Sequence, residues 1–202
     1  MANNTIGAYH LSDNPALYEP ARSNTFEFVV TGFHEDFYKK SQDFLRAGYT
    51  KDDTNARIES NAEELLRVSV VSSTVPTFSQ EPIVIRRGNS VMKAAGVPTF
   101  NEGSLVINDY IGADGKSILM AWQNLSYDVR TEKVGRMKDY KKQCYLIEYT
   151  PDCEVVRTWV LKGCWVQALN MPDFNQEDGG KRQVTATIQY DSAYMEMPKD
   201  ED

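Results

Sequence analysis

The chain has 202 residues, 41% of them hydrophobic, which suits one domain with a real core and leaves no room for a second catalytic domain. Its 22 Lys and Arg face 29 Asp and Glu, and the net charge of -7 disfavours stationary binding to nucleic acid or to anionic membranes. No stretch approaches the roughly 18 apolar residues of a membrane span and the first residues do not resemble a signal peptide, so we expect a cytosolic protein without membrane insertion.

The first third of the chain is predicted to contain an arm, one strand and an insertion. Residues 1–24 are polar and rich in turn residues, which predicts an N-terminal arm. Residues 26–31 are aromatic and β-branched and end at Gly32, which predicts the first strand. Residues 34–64 carry eight acids and five bases and are predicted to be an insertion outside the core. A spacing of seven places four apolar residues of this insertion on one helical stripe: Phe37, Tyr38, Phe44 and Leu45.

Two further strands and a projecting hairpin are predicted next. Residues 65–75 are rich in Val and Ser and close at Pro76, which predicts a second strand. Residues 82–93 predict a hairpin, because the Gly-Asn pair at 88–89 supplies the positive φ that a tight turn needs. This hairpin is too polar for a core, so we expect it to project. Residues 103–110 predict another strand.

The strongest helix signal lies at residues 116–126. Four apolar residues recur at positions i, i+3, i+4 and i+7. One face of the helix is therefore predicted to pack against the β structure, and the other face is predicted to be exposed to solvent. These packing residues are Ile118, Ala121, Trp122 and Leu125.

Four β segments follow in close order, at residues 143–150, 154–161, 164–169 and 183–191. The dipeptides Pro151-Asp152 and Lys162-Gly163 are typical of turns, so we expect an antiparallel meander. The predicted class is mostly β: an antiparallel β-barrel or sandwich at 25–194, with one packed α-helix and long projecting loops. Residues 195–202 are predicted to be an acidic C-terminal tail.

The last β segment alternates between an apolar and a polar row. Val184, Ala186, Ile188 and Tyr190 are predicted to face the core, which sends the residues between them to the opposite face. That polar row consists of Thr185, Thr187 and Gln189. It could be an ordinary solvent-facing surface or the lining of a wet channel, and the residues alone leave both open.

Little in the chain suggests catalysis. The three cysteines are 9 and 11 residues apart without a C-x-x-C pair, so we expect buried thiols in strands and no disulfide framework. Two histidines offer little material for a catalytic triad or a metal site. The Gly-Lys-Ser at 115–117 follows a strand, but a phosphate-binding loop would need a glycine where Tyr110 stands. We therefore expect no enzyme activity, no metal and no cofactor.

The order of these segments resembles the tail tube proteins of contractile phages, whose relatives include the tube proteins of type VI secretion. The resemblance spans about residues 26–194 and departs at the arm and the insertion. It is carried by Thr31-Gly32, VSSTVP ending at Pro76, EPIVIRRGN (81–89), LVINDY, ILMAWQNLSYD (118–128), LIEYTPDCEVVRTWVLKGCWVQAL (146–169) and VTATIQYD (184–191).

The resemblance implies a structural subunit that forms hexameric rings, stacked into a hollow tube inside a contractile sheath. It implies a virion protein, assembled in the host cytoplasm, through whose tube DNA passes during injection. Its partners would be further copies of itself, the tail sheath, baseplate and tail terminator proteins, the tape measure protein and transient DNA in the lumen. In that tube Thr185, Thr187 and Gln189 would face the lumen.

Ring stacking is assigned to the two projecting segments. Its candidate residues are Phe37, Tyr38, Phe44, Leu45, Arg86 and Arg87. A secretion-system tube of the same architecture is the alternative function, and a monomeric β-barrel binding module is the alternative from another class.

Overall fold

The structure is a computed structural model that describes residues 21–33, 62–110, 115–174 and 179–197. It is mostly antiparallel β, as predicted. The helices are α1 (Ala62–Ser69), α2 (Gly115–Ser126) and α3 (Met137–Tyr140). The strands are β1 (Phe26–Thr31), β2 (Val70–Ser73), β3 (Phe78–Gln80), β4 (Ile83–Arg87), β5 (Ser90–Ala94), β6 (Pro98–Phe100), β7 (Gly103–Asn108), β8 (Tyr127–Asp128), β9 (Lys133–Val134), β10 (Lys142–Tyr149), β11 (Val155–Asn170), β12 (Gln183–Gln189) and β13 (Ser192–Glu196).

One seven-stranded sheet organises the described residues. Its order is β1-β10-β11-β12-β7-β2, and β13 pairs with β11 off this path. The first part of β11 pairs with β10 and β13, whereas residues 165–170 pair with β12. We call β1, β10, β13 and the start of β11 the β1 half, and the end of β11 with β12, β7 and β2 the β2 half.

The two halves meet at a corner at Gly163. A turn was predicted at Lys162-Gly163, and this was wrong, because β11 continues through both residues to Asn170. Gly163 adopts a φ of +70° within the strand, a conformation that glycine takes without strain. The strand therefore bends and changes partners at this point, where the backbone N–H of Asp191 donates to the Lys162 carbonyl at 2.9 Å. A two-residue turn signal thus marks a bend in one long strand.

A helix replaces the first part of the predicted second strand. Residues 62–69 form α1, and only Val70–Ser73 form the strand β2. Ala62, Leu66 and Ser69 are buried on one face of α1, while acidic residues in its first turn suit the positive end of the helix dipole. The valines at 68 and 70 favoured a strand, but the helical spacing of buried residues decided the outcome. The predicted insertion boundary at residue 64 lies inside this helix, and Ala62 belongs to the core.

The core lies between the curled sheet and the helices α1 and α2. The two strands that end the path, β1 and β2, approach each other without pairing, and α1 packs against β1 and α2. The sequence therefore forms a sheet that curls around a helix-filled core. Its largest fully buried side chains include Trp122, Leu66, Leu105, Ile107, Ile118 and Leu119.

A projecting segment extends from the end of β2, and we call it the hairpin arm to distinguish it from the N-terminal arm. The short pair β3 and β6 forms its base, and the hairpin β4–β5 forms its outer part. The predicted hairpin is confirmed: Ile83 pairs with Ala94, and Gly88, with a φ of +56°, lies in its turn. All ten strand residues of the hairpin are exposed.

Two smaller expectations were wrong. Cys144 and Cys164 are buried as expected, but Cys153 is exposed in the turn between β10 and β11 at a φ of +67°. The predicted tail boundary at residue 195 lies within β13, which pairs along β11. No helix in the described ranges is long and apolar enough to span a membrane.

Candidate assembly interface

The β2 half presents a polar face that carries no charge on its strands. Val184, Ala186 and Ile188 are buried, and the residues between them lie on the opposite face and are half-buried. In the register of the sheet, Thr185 pairs with Val106 and Thr187 with Ser104. We call this surface the polar face, and it comprises Ser72, Ser104, Val106, Asn108, Trp165, Gln167, Ala168, Asn170, Gln183, Thr185, Thr187 and Gln189.

Side-chain amides tie the strands of the polar face together. The Gln183 Nε2 donates to Asn108 Oδ1 at 3.3 Å, and the Gln189 Nε2 donates to Gln167 Oε1 at 2.8 Å. The Gln189 amide also reaches Glu102 Oε2 at 3.2 Å, just before β7 begins. These hydrogen bonds hold the amides in place. The residues of the polar face include no Lys or Arg that could bind phosphate tightly.

Both edges of the β2 half are open. β2 ends the strand path, and the described part of the chain offers it no second neighbour. At the other edge, residues 165–170 pair only with β12 among the described strands. Gln167 is a bulge there without a register partner, and its carbonyl accepts a hydrogen bond from Gln123 Nε2 of α2. Open edges of this kind are templates for pairing with another chain.

The projecting hairpin carries an apolar face and an excess of positive charge. Ile83, Ile85 and Met92 lie on one face and are 55%, 45% and 59% exposed. Arg86 and Arg87 lie at its outer end, beside the turn. The other predicted stacking residues, Phe37, Tyr38, Phe44 and Leu45, lie outside the described residues.

An open cleft separates β2 from the adjacent ends of the β1 half. It has a volume of about 990 Å³, and β2, the start of β1 and the turn between β10 and β11 line it. Its apolar walls are Phe26, Val71, Val75, Leu146 and Val156. Sequence reasoning did not find this cleft, because its walls come from three segments that are far apart in the chain.

A polar network fastens α1 to the β1 half. The Arg67 guanidinium contacts Glu27 Oε1 at 2.6 Å, and the Tyr149 hydroxyl donates to Glu27 Oε2 at 2.8 Å. Partial burial alone would raise the pKa of Glu27, but the hydrogen bonds from Arg67 and Tyr149 and the charge of Arg67 lower that pKa below its ordinary value. The ionised carboxylate is therefore the form that fits this site.

The predicted packing residues of α2 face the core. Ile118 and Trp122 are fully buried, Ala121 is 8% exposed, and Leu125 packs partly buried against the core. Leu119 is also fully buried and was not predicted, because α2 packs against α1 and α3 as well as against the sheet. The Trp122 Nε1 donates to the Tyr140 carbonyl at 2.8 Å, which joins α2 to α3.

Comparison with known proteins gives structural but not sequence relatives. No family model matches the chain, and no curated protein matches it significantly. A chain from the cryo-EM structure of the anti-feeding prophage cap, a tube-terminating cap, aligns with a TM-score of 0.62 over 98% of this chain and 100% of that chain, at 13% identity. A chain from the extended sheath-tube complex of the PVC extracellular contractile injection system aligns with a TM-score of 0.58 over 96% and 100%, at 16% identity.

The chain has the fold of these injection-system proteins. A chain from the PVC sheath/tube terminator also aligns, with a TM-score of 0.59 over 89% of this chain and 99% of that chain at 16% identity. The predicted resemblance is confirmed at the level of the fold. At such low identity the order of elements carried the signal, since no single motif of the sequence is diagnostic.

Proposed function

We propose that the protein is the tube subunit of a contractile injection machine, in which rings of this chain stack into a hollow tube. The observation that carries the proposal is the β2 half, whose uncharged polar face lies between two open strand edges. The fold shared with chains of cap and sheath-tube structures supports it.

The direction of these strands supports ring closure. β2, β7, β12 and the end of β11 are antiparallel in succession, so β2 and β11 run in opposite directions. A neighbour's β11 can therefore pair with β2 in the same antiparallel sense, and every copy repeats the junction. In a hexamer, twenty-four such strands at a spacing of about 4.8 Å would enclose a channel at least ~37 Å across at the backbone.

The polar face lines this channel in the proposal, with Thr185, Thr187 and Gln189 toward the lumen. A wall without clustered Lys or Arg would let a polyanion slide past without holding it through counterion release. A phage tail tube that passes DNA and forms part of the virion is the version we favour. A secretion-type tube that carries protein is the alternative, and the uncharged wall suits either cargo.

Stacking and outer contacts complete the proposed assembly. The hairpin end, with Arg86 and Arg87, is proposed to contact the next ring, together with the 34–64 segment. The sheath would surround the tube, and baseplate and terminator proteins would hold its two ends. The tape measure protein would occupy the lumen before DNA enters it.

The test changes the backbone of the open edge strand at the bulge residue Gln167, which has no register partner on β12. Gln167→Pro deletes the N–H of a bulge residue, a position where proline is tolerated, so the protomer should still fold. Gln167→Ala keeps the N–H and is the matched control. Light scattering of the purified proteins should show rings for the wild type and for Gln167→Ala, but monomers for Gln167→Pro. A wild type that stays monomeric at every concentration, or a proline variant that assembles normally, contradicts the proposal.

A further inference from the structure

We propose that the apolar face of the hairpin β4–β5 packs into the cleft beside β2 of the neighbouring protomer in the same ring. The hairpin of each protomer would then cover the cleft between the two sheet halves of the next protomer. This inference rests on the proposed ring and identifies which surfaces meet within it.

The hairpin needs a partner that the described residues of its own chain do not supply. A two-stranded hairpin alone is marginally stable in water, and three strands or a packed face are needed to hold it. Ile83, Ile85 and Met92 nevertheless remain about half exposed on one face. An exposed apolar face on a projecting element is typical of a protein contact.

The cleft offers an apolar surface in complementary form. Val71, Val75 and Val156 on its walls are 37%, 46% and 37% exposed, so the chain leaves apolar side chains open there. Phe26 and Leu146 join this opening to the core. At about 990 Å³ the cleft has room for several large side chains, and a partner would exclude water from all of its walls.

The charges of the two surfaces are opposite. Residues 83–94 contain three cations and no acid. Arg86 and Arg87 lie beside the turn, where they stay available to the next ring, and Lys93 lies nearer the base of the hairpin. The cleft is lined by the carboxylates of Glu148, Asp152 and Glu154 against the guanidiniums of Arg22 and Arg157.

Within the cleft, Glu148 and Arg157 already form an ion pair at 3.2 Å. Asp152 and Glu154 are exposed and leave a negative balance on the lining. This balance favours a cationic partner and disfavours an acidic one.

Distance and direction favour the neighbour in the ring. Val75 lines the cleft and Phe78 begins the hairpin arm, so the cleft and the hairpin arm lie at the same end of β2. A ring step of four strands is about 19 Å, whereas the ten residues from Phe78 to Arg87 extend to about 33 Å. The hairpin arm is therefore long enough to reach the cleft of the next protomer.

The experiment is a disulfide cross-link between the two surfaces. Ile85→Cys and Val75→Cys are combined in a Cys153→Ser background, because Cys153 is the exposed native thiol among the described residues. Oxidised glutathione accepts the two electrons and is released as two thiols for each disulfide formed. The matched control replaces Ile85→Cys by Val84→Cys, which lies on the opposite face of the hairpin.

We expect a ladder of cross-linked species up to the hexamer on non-reducing gels, which the Val84→Cys control lacks. Rings that form without a ladder overturn the inference and leave the proposed function intact. An absence of rings in light scattering contradicts the proposed function itself. A disulfide within single chains places the hairpin on its own protomer and overturns the inference. A ladder that forms only after deletion of residues 1–20 assigns the cleft to that segment and also overturns it.

A second measurement does not depend on oxidation. Ile85→Asp places a charge on the apolar face, and Val84→Asp places it on the opposite face as a control. On dilution, the protein concentration at which half of the rings have dissociated should be at least tenfold higher for Ile85→Asp than for Val84→Asp. Equal effects would overturn the inference.

Discussion

Trp122 joins three parts of the molecule through one side chain. It is fully buried on α2, it donates a hydrogen bond to Tyr140, and its ring meets Phe33 edge-on at a centroid distance of 5.5 Å. Trp122→Ala should lower the free energy of unfolding by about 3–5 kcal/mol, through lost transfer energy and the cavity left behind. Trp122→Phe keeps most of the ring and loses the donor, so it should cost less. Urea unfolding measures both, and an unchanged midpoint for Trp122→Ala would show that α2 does not pack as described.

Glu27 makes stability depend on pH in a defined direction. Its pKa is lowered in the folded protein, so its contribution is complete above the unfolded pKa and is lost as the pH falls through the folded value. Glu27→Gln removes this titration. The stability difference between the wild type and Glu27→Gln should be largest near neutral pH and should shrink in acid. Thermal unfolding across this range checks it, and a difference that grows in acid would contradict the assigned network.

At the scale of elements, the corner of β11 depends on Gly163. A Cβ at this position would collide with the Asp191 carboxylate, and its φ of +70° disfavours any other residue. Gly163→Ala should therefore destabilise the protein by more than the ~1–2 kcal/mol of a left-handed conformation alone. Gly88→Ala has a similar φ and no atom near its Cβ, so it isolates the conformational cost. Equal melting shifts for the two variants would show that the corner can relax around the added methyl group.

The elements also show what the sequence could predict. β1, the hairpin and α2 were predictable because each has a local signal: β-branched residues, a Gly-Asn turn, or apolar spacing of 3.6. α1 and the bend at Gly163 were not, since valines and a Lys-Gly pair favour the wrong local structure and only tertiary packing decides between them. The polar row of β12 was predictable by alternation. The open edges and the cleft were not, because they depend on which strands become neighbours.

At the scale of the whole molecule, the proposed function depends on the charge of the polar face. Thr185→Lys, Thr187→Lys and Gln189→Lys together would add eighteen charges to each proposed six-membered ring. Such a wall should bind phosphate repeatedly and stall DNA, although tubes still form. Particles that assemble normally but fail to deliver DNA fit the phage version. Unimpaired delivery would place these residues on the outside, and a loss of tubes would place them in an interface.

The central claim is that this chain closes into rings through the edges of its β2 half. The most direct measurement is a cryo-EM reconstruction of the purified, concentrated protein. We expect stacked rings of uniform width, with β2 of each protomer paired to β11 of the next and with Thr185, Thr187 and Gln189 lining the channel. Monomers alone, or rings in which the polar face points outward, would contradict the claim.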